Sequence, residues 1–345
     1  MLGPQEGASP SEQGRAHPTR GPATRSGPGP PRAHRTRAPA YIPRVPTPLE
    51  RAPDELAPGR ELYLKREDVH ELGAFKWRGA LPALRDYAER GAATVVTAST
   101  GNHGAATAWA ARELGLHAVV YAPEAASRAK VKLMESLGAE LRLAGRDLDA
   151  SKEAALAFAR SASVPFFEDG AEPAQYAGYE SIGDEILDAM DAPPAAVVVP
   201  VGNGALMIGV GRAFARRAPA ALRVAALAKE APVMAESIAA GRAVPGDRVA
   251  TFADGMAVRV AIPAAVEALA PLVGESVLVG EREIAEAVGS FHRAGIRVEG
   301  AAASALAALR RLGPLGGPAV VVVTGRNIDD DLHARAVERP ESFPD

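Results

Sequence analysis

Thr94-Val95-Val96-Thr97-Ala98-Ser99-Thr100-Gly101-Asn102-His103-Gly104 is the stretch on which the fold turns. An uncharged, β-branched run of strand length passes directly into small polar residues and glycine. An Ala-rich segment follows, from 105 to 114, closed by Gly115. Short apolar runs of this kind suit strands of a parallel sheet buried on both faces, and the helix that follows is the crossover such a sheet needs. The pattern recurs outward along the chain. Strands are expected at 61–65, 118–122, 140–143, 196–200, 223–227 and 319–323, and helices at 79–90, 127–137, 151–159, 179–190, 206–217, 281–294 and 301–312. This alternation predicts an α/β protein with mostly parallel sheets covered by helices on both faces. No repeat of fixed period is present, so the chain is not a solenoid.

Ligands of open parallel sheets sit at the carboxyl ends of the strands, and three such ends carry unusual residues. The loop 99–104 sets small hydroxyls, an amide and glycines at a helix N-terminus, where backbone N–H groups favour an anion such as a carboxylate. An ordinary helix cap also selects Ser, Thr and Asn, but two glycines and four polar side chains exceed what a cap requires. The strand at 196–200 runs into Val201-Gly202-Asn203-Gly204-Ala205-Leu206, which suits a phosphate at a helix N-terminus. It is neither a P-loop nor a dinucleotide fingerprint, and a tight turn needing glycine remains a second reading. The strand at 319–323 ends in Thr324-Gly325-Arg326-Asn327-Ile328-Asp329, which offers either a hydroxyl for a ring nitrogen or a simple turn.

Lys76 stands between Phe75 and Trp77 at the start of an apolar segment. A poorly solvated amine is more easily neutral, and a neutral amine is the form that makes a Schiff base with an aldehyde. The bland reading is a lysine stem lying over aromatic rings with its charge in water.

Composition bounds the rest. With 345 residues and 47% hydrophobic content the chain holds about two domains, and its net charge of −3 gives no basic footprint for nucleic acid or an anionic membrane. There is no cysteine, which removes disulfides, thiolate metal sites and cysteine nucleophiles and makes a reducing cytoplasm the expected location. Residues 192–211 lack charge, but Pro193, Pro194, Pro200, Gly202 and Gly204 interrupt them, so they read as strand, loop and helix rather than a membrane span. Residues 1–40 are rich in Arg, Pro, Gly and Ser and are expected to be a disordered tail.

A buried amine, a phosphate loop, a carboxylate loop and a hydroxyl for a ring nitrogen together describe a site for pyridoxal phosphate and an amino acid. The chain resembles the fold-type II pyridoxal-phosphate enzymes of the tryptophan synthase β superfamily, on the threonine/serine dehydratase and threonine synthase branch. The likeness runs from Thr47-Pro48-Leu49 through Lys65-Arg66-Glu67-Asp68, Phe75-Lys76-Trp77-Arg78-Gly79-Ala80, the 99–104 loop, Val199-Pro200-Val201-Gly202, Ala253-Asp254-Gly255 and Val298-Glu299 to Asp329. It departs at Ala74, usually serine, at Asn203 and Ala205, often glycine, and at Arg326, commonly glycine.

The resemblance implies two three-layer αβα domains: a large cofactor-binding domain of 41–91 plus 166–338 and a small domain of 92–165 inserted in it. It implies that Lys76 forms the Schiff base with pyridoxal 5′-phosphate and then moves the α-proton, with Phe75 beside it. It places Asn102 on the cofactor's phenolic oxygen, Gly202, Asn203, Gly204, Ala205 and Leu206 on its phosphate, and Thr324 on its pyridine nitrogen. The substrate carboxylate falls to Ser99, Thr100, Gly101, Asn102 and His103. Thr100 stands where racemizing relatives carry a reprotonating serine. Glu299 lies near the ring or only holds its loop. Metal ligands are not assigned, and Glu230 and Asp254 are candidates by analogy alone. The implied reaction is β-elimination from a β-hydroxy amino acid, the cofactor phosphate giving a proton to the leaving hydroxyl. Threonine synthase-like chemistry, β-replacement, racemisation and a non-catalytic ligand-binding role are the alternatives. The expected partners are a small amino-acid substrate and further copies of the chain, as a homodimer or homotetramer, with neither nucleic acid nor membrane.

Overall fold

The computed structural model describes residues 46–345, so the expected tail at 1–40 and the first residues of the large domain lie outside it. In its first half the elements are β1 (Leu49–Arg51), β2 (Leu62–Arg66), α1 (Trp77–Glu89), β3 (Thr94–Ala98), α2 (Asn102–Leu114), β4 (His117–Ala122), α3 (Arg128–Ser136), β5 (Glu140–Leu143) and α4 (Leu148–Ala162). There follow α5 (Pro173–Ala189), β6 (Ala196–Pro200), α6 (Ala205–Arg217), β7 (Leu222–Ala228), α7 (Val233–Ala240) and α8 (Pro263–Leu269). The chain ends with β8 (Glu275–Val279), α9 (Glu281–Arg293), α10 (Gly300–Arg311), β9 (Ala319–Val323) and α11 (Asp330–Glu338).

Among the described residues two sheets form, one of six strands in the order β1-β2-β9-β6-β7-β8 and one of three in the order β3-β4-β5. Every pairing is parallel except β1 with β2. The pleat explains why the central strands are apolar throughout. Val197 and Val199 of β6 join the core shared with α5 and α6, whereas Val198 faces the core built on α9 and α10. Val320 and Val322 of β9 split from Val321 and Val323 in the same way. In the smaller sheet Val120 packs towards α2, and Val119 and Tyr121 towards Ala155 and Ala159 of α4. Alternate side chains therefore enter different cores, and both faces of each sheet are covered. No helix among the described residues is long and apolar enough to cross a membrane.

The structure differs from the sequence reading in places with identifiable causes. Helix α2 begins at Asn102, so the polar residues expected in a loop form its first turn. Helix α5 begins at Pro173, because proline fits the first helical position where its missing N–H costs nothing. The strands β1 and β8 and the helices α7, α8 and α11 carry no expectation from sequence. β1 and β8 are sheet edges, and three of the five residues of β8 are exposed, which erases the buried-strand signature.

Helices α1 and α5 approach closely. A Cβ on Gly79 would lie 2.4 Å from the Tyr179 ring, and one on Gly178 would lie 2.0 Å from the Arg78 carbonyl oxygen. Beneath this crossing lies a buried ion cluster. Arg78 donates through Nε to Glu67 (2.8 Å) and through Nη1 and Nη2 to the two oxygens of Glu185 (2.6 and 2.8 Å). Lys65 Nζ donates to Glu185 (2.5 Å) and to the Thr47 carbonyl (2.6 Å). Burial alone would raise the Glu185 pKa, but the hydrogen bonds and charges of Arg78 and Lys65 hold it below the ordinary glutamate value. Arg78→Ala leaves both carboxylates buried with Lys65 as the remaining cation, and should cost about 3–5 kcal/mol of unfolding free energy. Urea denaturation should show a lower midpoint at unchanged slope. Because the Glu185 pKa is depressed, its stabilisation is complete above about pH 4.5 and fades as pH falls further, so the deficit of Glu185→Gln should shrink in acid. A midpoint for Arg78→Ala equal to the wild type's would refute this account of the cluster.

Candidate active site

A cavity of about 520 Å³ opens where β3, β6 and β9 end, and is lined by the residues that follow each strand. It brings together Phe75, Lys76, Ser99, Thr100, Gly101, Asn102, His103, Gly202, Asn203, Gly204, Ala205, Leu206, Glu299 and Thr324. Every site residue expected from sequence is thus on one wall or another of a single space. Arg326 is exposed and lies off the cavity wall.

Lys76 precedes α1 and is held from two sides. Two residues on, Arg78 anchors the helix in its ion cluster. One residue back, Phe75 N–H donates to the Thr324 carbonyl (3.0 Å), and Ala74 bridges Gly325. Its Nζ forms an ion pair with Asp169. The Asp169 carboxylate opens to the cavity, with a quarter of its side chain accessible. Burial would raise its pKa, but the Lys76 ammonium, His103 and a hydrogen bond from Gln175 outweigh that and hold it ionised, well below the usual carboxylate range.

The 99–104 loop is organised by its own side chains. Ser99 Oγ accepts from the N–H groups of Gly101 (3.1 Å) and Gly104 (2.9 Å), which curls the chain straight into α2. The His103 ring turns away from the loop and inward, with Nε2 3.0 Å from Thr97 Oγ1 and Nδ1 3.5 Å from Asp169. Asn102 is clamped at both ends: Nδ2 donates to Glu299 (2.9 Å), and Oδ1 accepts from Asn327 (2.8 Å), whose Nδ2 also donates to the Leu72 carbonyl (2.7 Å). In the loop after β6, Asn203 Oδ1 accepts from Ala205 N–H (3.1 Å), a local turn contact just ahead of α6, whose N-cap is Gly204.

Two observations fit the expected cofactor. Thr324 Oγ1 is buried with no partner, an unmet hydroxyl at a strand's carboxyl end of the kind a ligand ring nitrogen would satisfy. Gly202 lies against Gly255, where a Cβ would stand 2.1 Å from the carbonyl oxygen, and Gly204 has φ +95. Only glycine gives the small, tightly bent backbone seen there in front of the α6 N-terminus, the setting that favours a phosphate.

The sequence reading gave no role to Asp169 or to Asn327 as the clamp on Asn102; neither carries a motif, and each acquires its partner only through the fold. For the analogical metal ligands the structure shows cationic partners instead: Glu230 pairs with Arg248, and Asp254 with Lys130 (2.7 Å). Among the described residues no cluster of three or more His, Cys, Asp or Glu is placed to hold a metal.

Glu299 is buried, which raises its pKa to about 7 against the hydrogen bond from Asn102; the Asp254 charge adds to the rise. A glutamate raised in the folded state stabilises fully below its ordinary value, and that contribution is lost as pH rises through the folded value. For the cofactor-free protein, stability should fall between pH 4.5 and 7 by on the order of 3 kcal/mol. Glu299→Gln should flatten that slope in urea titrations at a series of pH values; coincident slopes would contradict the raised value.

The profile described as "Pyridoxal-phosphate dependent enzyme" matches residues 42–325. The L-threonine ammonia-lyase of Thermotoga maritima is 35% identical over 288 residues, covering 81% of this chain and 71% of the relative. The enzyme of the same name from Geobacter sulfurreducens is 36% identical over 286 residues, covering 81% and 71%. The processed form of threonine deaminase isoform 2 from Solanum lycopersicum superposes with a TM-score of 0.80 at 27% identity, covering 87% of this chain and 89% of that one. With its parallel sheets and the cavity at their strand ends, the chain belongs to the pyridoxal-phosphate dependent enzymes and has the fold-type II architecture.

Proposed function

We propose that this enzyme is a lyase that deaminates a β-hydroxy amino acid such as L-threonine or L-serine to a 2-oxo acid and ammonia. The observation that carries the reading is the convergence, in one cavity, of Lys76, two helix N-termini and the unpartnered Thr324 hydroxyl. Similarity to the two threonine ammonia-lyases supports the choice of substrate.

When bound, pyridoxal 5′-phosphate supplies the electron sink that makes the substrate's α-hydrogen acidic. Lys76 would hold the cofactor, and its Nζ would be the group to take the α-proton. Gly202, Asn203, Gly204, Ala205 and Leu206 would hold the phosphate at the start of α6, where the helix N-terminus contributes up to ~2 kcal/mol. Thr324 offers the ring nitrogen a neutral hydroxyl, which leaves that nitrogen less cationic than a carboxylate would. Asn102, fixed by Glu299 and Asn327, would hold the phenolic oxygen, and Phe75 flanks Lys76. Ser99, Thr100, Gly101, Asn102 and His103 form the turn that receives the substrate carboxylate, with the Thr100 hydroxyl beside it.

The smaller sheet with α2, α3 and α4 supports a small domain at 92–165 that closes over substrate. A cytoplasmic setting accords with the absence of cysteine, and a homodimer or homotetramer with the habit of the family it resembles.

Purified enzyme with added pyridoxal phosphate should release 2-oxo acid from L-threonine or L-serine, and Lys76→Ala should lower that rate by at least about 10²–10⁴-fold. Release of phosphate from O-phosphohomoserine, with threonine and serine untouched, would replace the proposed reaction by a threonine synthase-like one.

A further inference from the structure

The smaller sheet and its helices are held to the rest of the protein by two different kinds of contact. On one side α2 packs on α1. Trp77, Leu81, Leu84 and Tyr87 share a core with Ala105, Ala106 and Trp109, and the rings of Trp77 and Trp109 meet edge to face with centroids 6.1 Å apart. Asn102 adds its bonds to Glu299 and Asn327. Parting this face would return aromatic and alanine surface to water, which apolar burial opposes. On the other side α3 and the start of α4 meet residues 246–262, the segment between α7 and α8, through ion pairs. Lys130 of α3 reaches Asp254 (2.7 Å), and Asp149, in the first turn of α4, reaches Arg259 (3.2 Å).

The segment 246–262 is itself fastened to the larger sheet and its helices. Arg248 pairs with Glu230, the Ala250 N–H donates to the Glu230 carbonyl (2.9 Å), and the Phe252 N–H donates to Glu281 (2.8 Å). It therefore forms a fixed jamb, against which the α3–α4 edge rests. Arg259 and Asp149 keep 55% and 59% of their side chains exposed, so on separation both charges return to water at little cost. Leu148 and Val260, each next in sequence to one partner of that pair, line the cavity with it and are exposed apolar side chains, at 41% and 73%. The pair thus spans the mouth of the cavity with an apolar residue on either lip, and the mouth is the weaker of the two attachments.

We propose that the Asp149–Arg259 pair is the clasp of a gate: the small domain turns on its α1–α2 face and parts from residues 246–262 to admit substrate. The inference rests on the cavity being the catalytic one, as proposed above, and adds where it opens and what holds it shut. Substrate enters while the clasp is parted, and re-forming it encloses the ligand, so the pair contributes to retention of substrate and to exclusion of other small molecules. Exposed charges also make the clasp sensitive to ionic strength.

The test is a charge swap in the holoenzyme with two readouts. The first is the rate at which phenylhydrazine captures the bound aldehyde cofactor as a hydrazone, followed by absorbance, which needs entry to the cavity and no turnover. Asp149→Lys and Arg259→Glu should each speed capture about 2- to 10-fold, and Asp149→Lys/Arg259→Glu should restore the wild-type rate. The second is KM for L-serine or L-threonine, which should rise by a similar factor in each single variant and return in the swap. Matching melting curves would show that the variants are folded. Unchanged capture in the single variants, or a swap no better than they are, overturns the clasp whatever the activity. A loss confined to kcat also overturns it and leaves the proposed function standing. If neither amino acid is turned over, the proposed function falls and the capture rates alone decide the clasp.

Discussion

The buried guanidinium of Arg78 is the interaction on which the site depends. It joins the turn after β2, through Glu67, to α5, through Glu185, and Lys65 completes a cluster of two cations and two carboxylates. Such a cluster is not automatically stabilising, because four charges must leave water. It does select one arrangement, since any shift of α1 against α5 leaves a carboxylate unpaired. Gly79 and Gly178 permit the approach by allowing the helices to touch backbone to side chain. Lys76 lies two residues from this anchor, so the position of its amine is inherited from a rigid cluster rather than from a loop.

Around that amine the protein sets two acidic groups in contrasting environments. Asp169 has an ammonium, an amide donor and an imidazole beside it and stays ionised. Glu299 has the Asn102 amide and is otherwise enclosed, which brings its pKa to about 7. Identical chemistry therefore yields one fixed charge and one group that titrates near neutrality, the separation that burial and partner charges produce in acid–base sites. The Asn102 amide, held between Glu299 and Asn327, links the start of α2 to the loop after β9. The 99–104 loop and the Thr324 loop are thereby tied by a hydrogen bond between two side-chain amides.

Much of this was legible in the chain. The strands Thr94–Ala98, Glu140–Leu143, Ala196–Pro200 and Ala319–Val323 have the bounds their apolar runs predict. The helices α9 and α10 are within a residue of the expected ranges, since glycine and loop residues punctuate them. Edge elements were not legible: β8 mixes exposed and buried residues and lacks a buried-strand run. The start of α2 was misplaced because Ser99 satisfies the Gly104 N–H, letting polar residues begin the helix.

Sequence alone determined the α/β class and the three strand-end loops, because short-range pattern controls which segments are strands and where their ends fall. Tertiary structure alone decided the charges that surround Lys76. Asp169 is 93 residues away, in a segment without a motif, and Glu299 and Asn327 come from further still. Ionisation state depends on burial and on charges a few ångströms away, quantities that exist only once distant segments have packed.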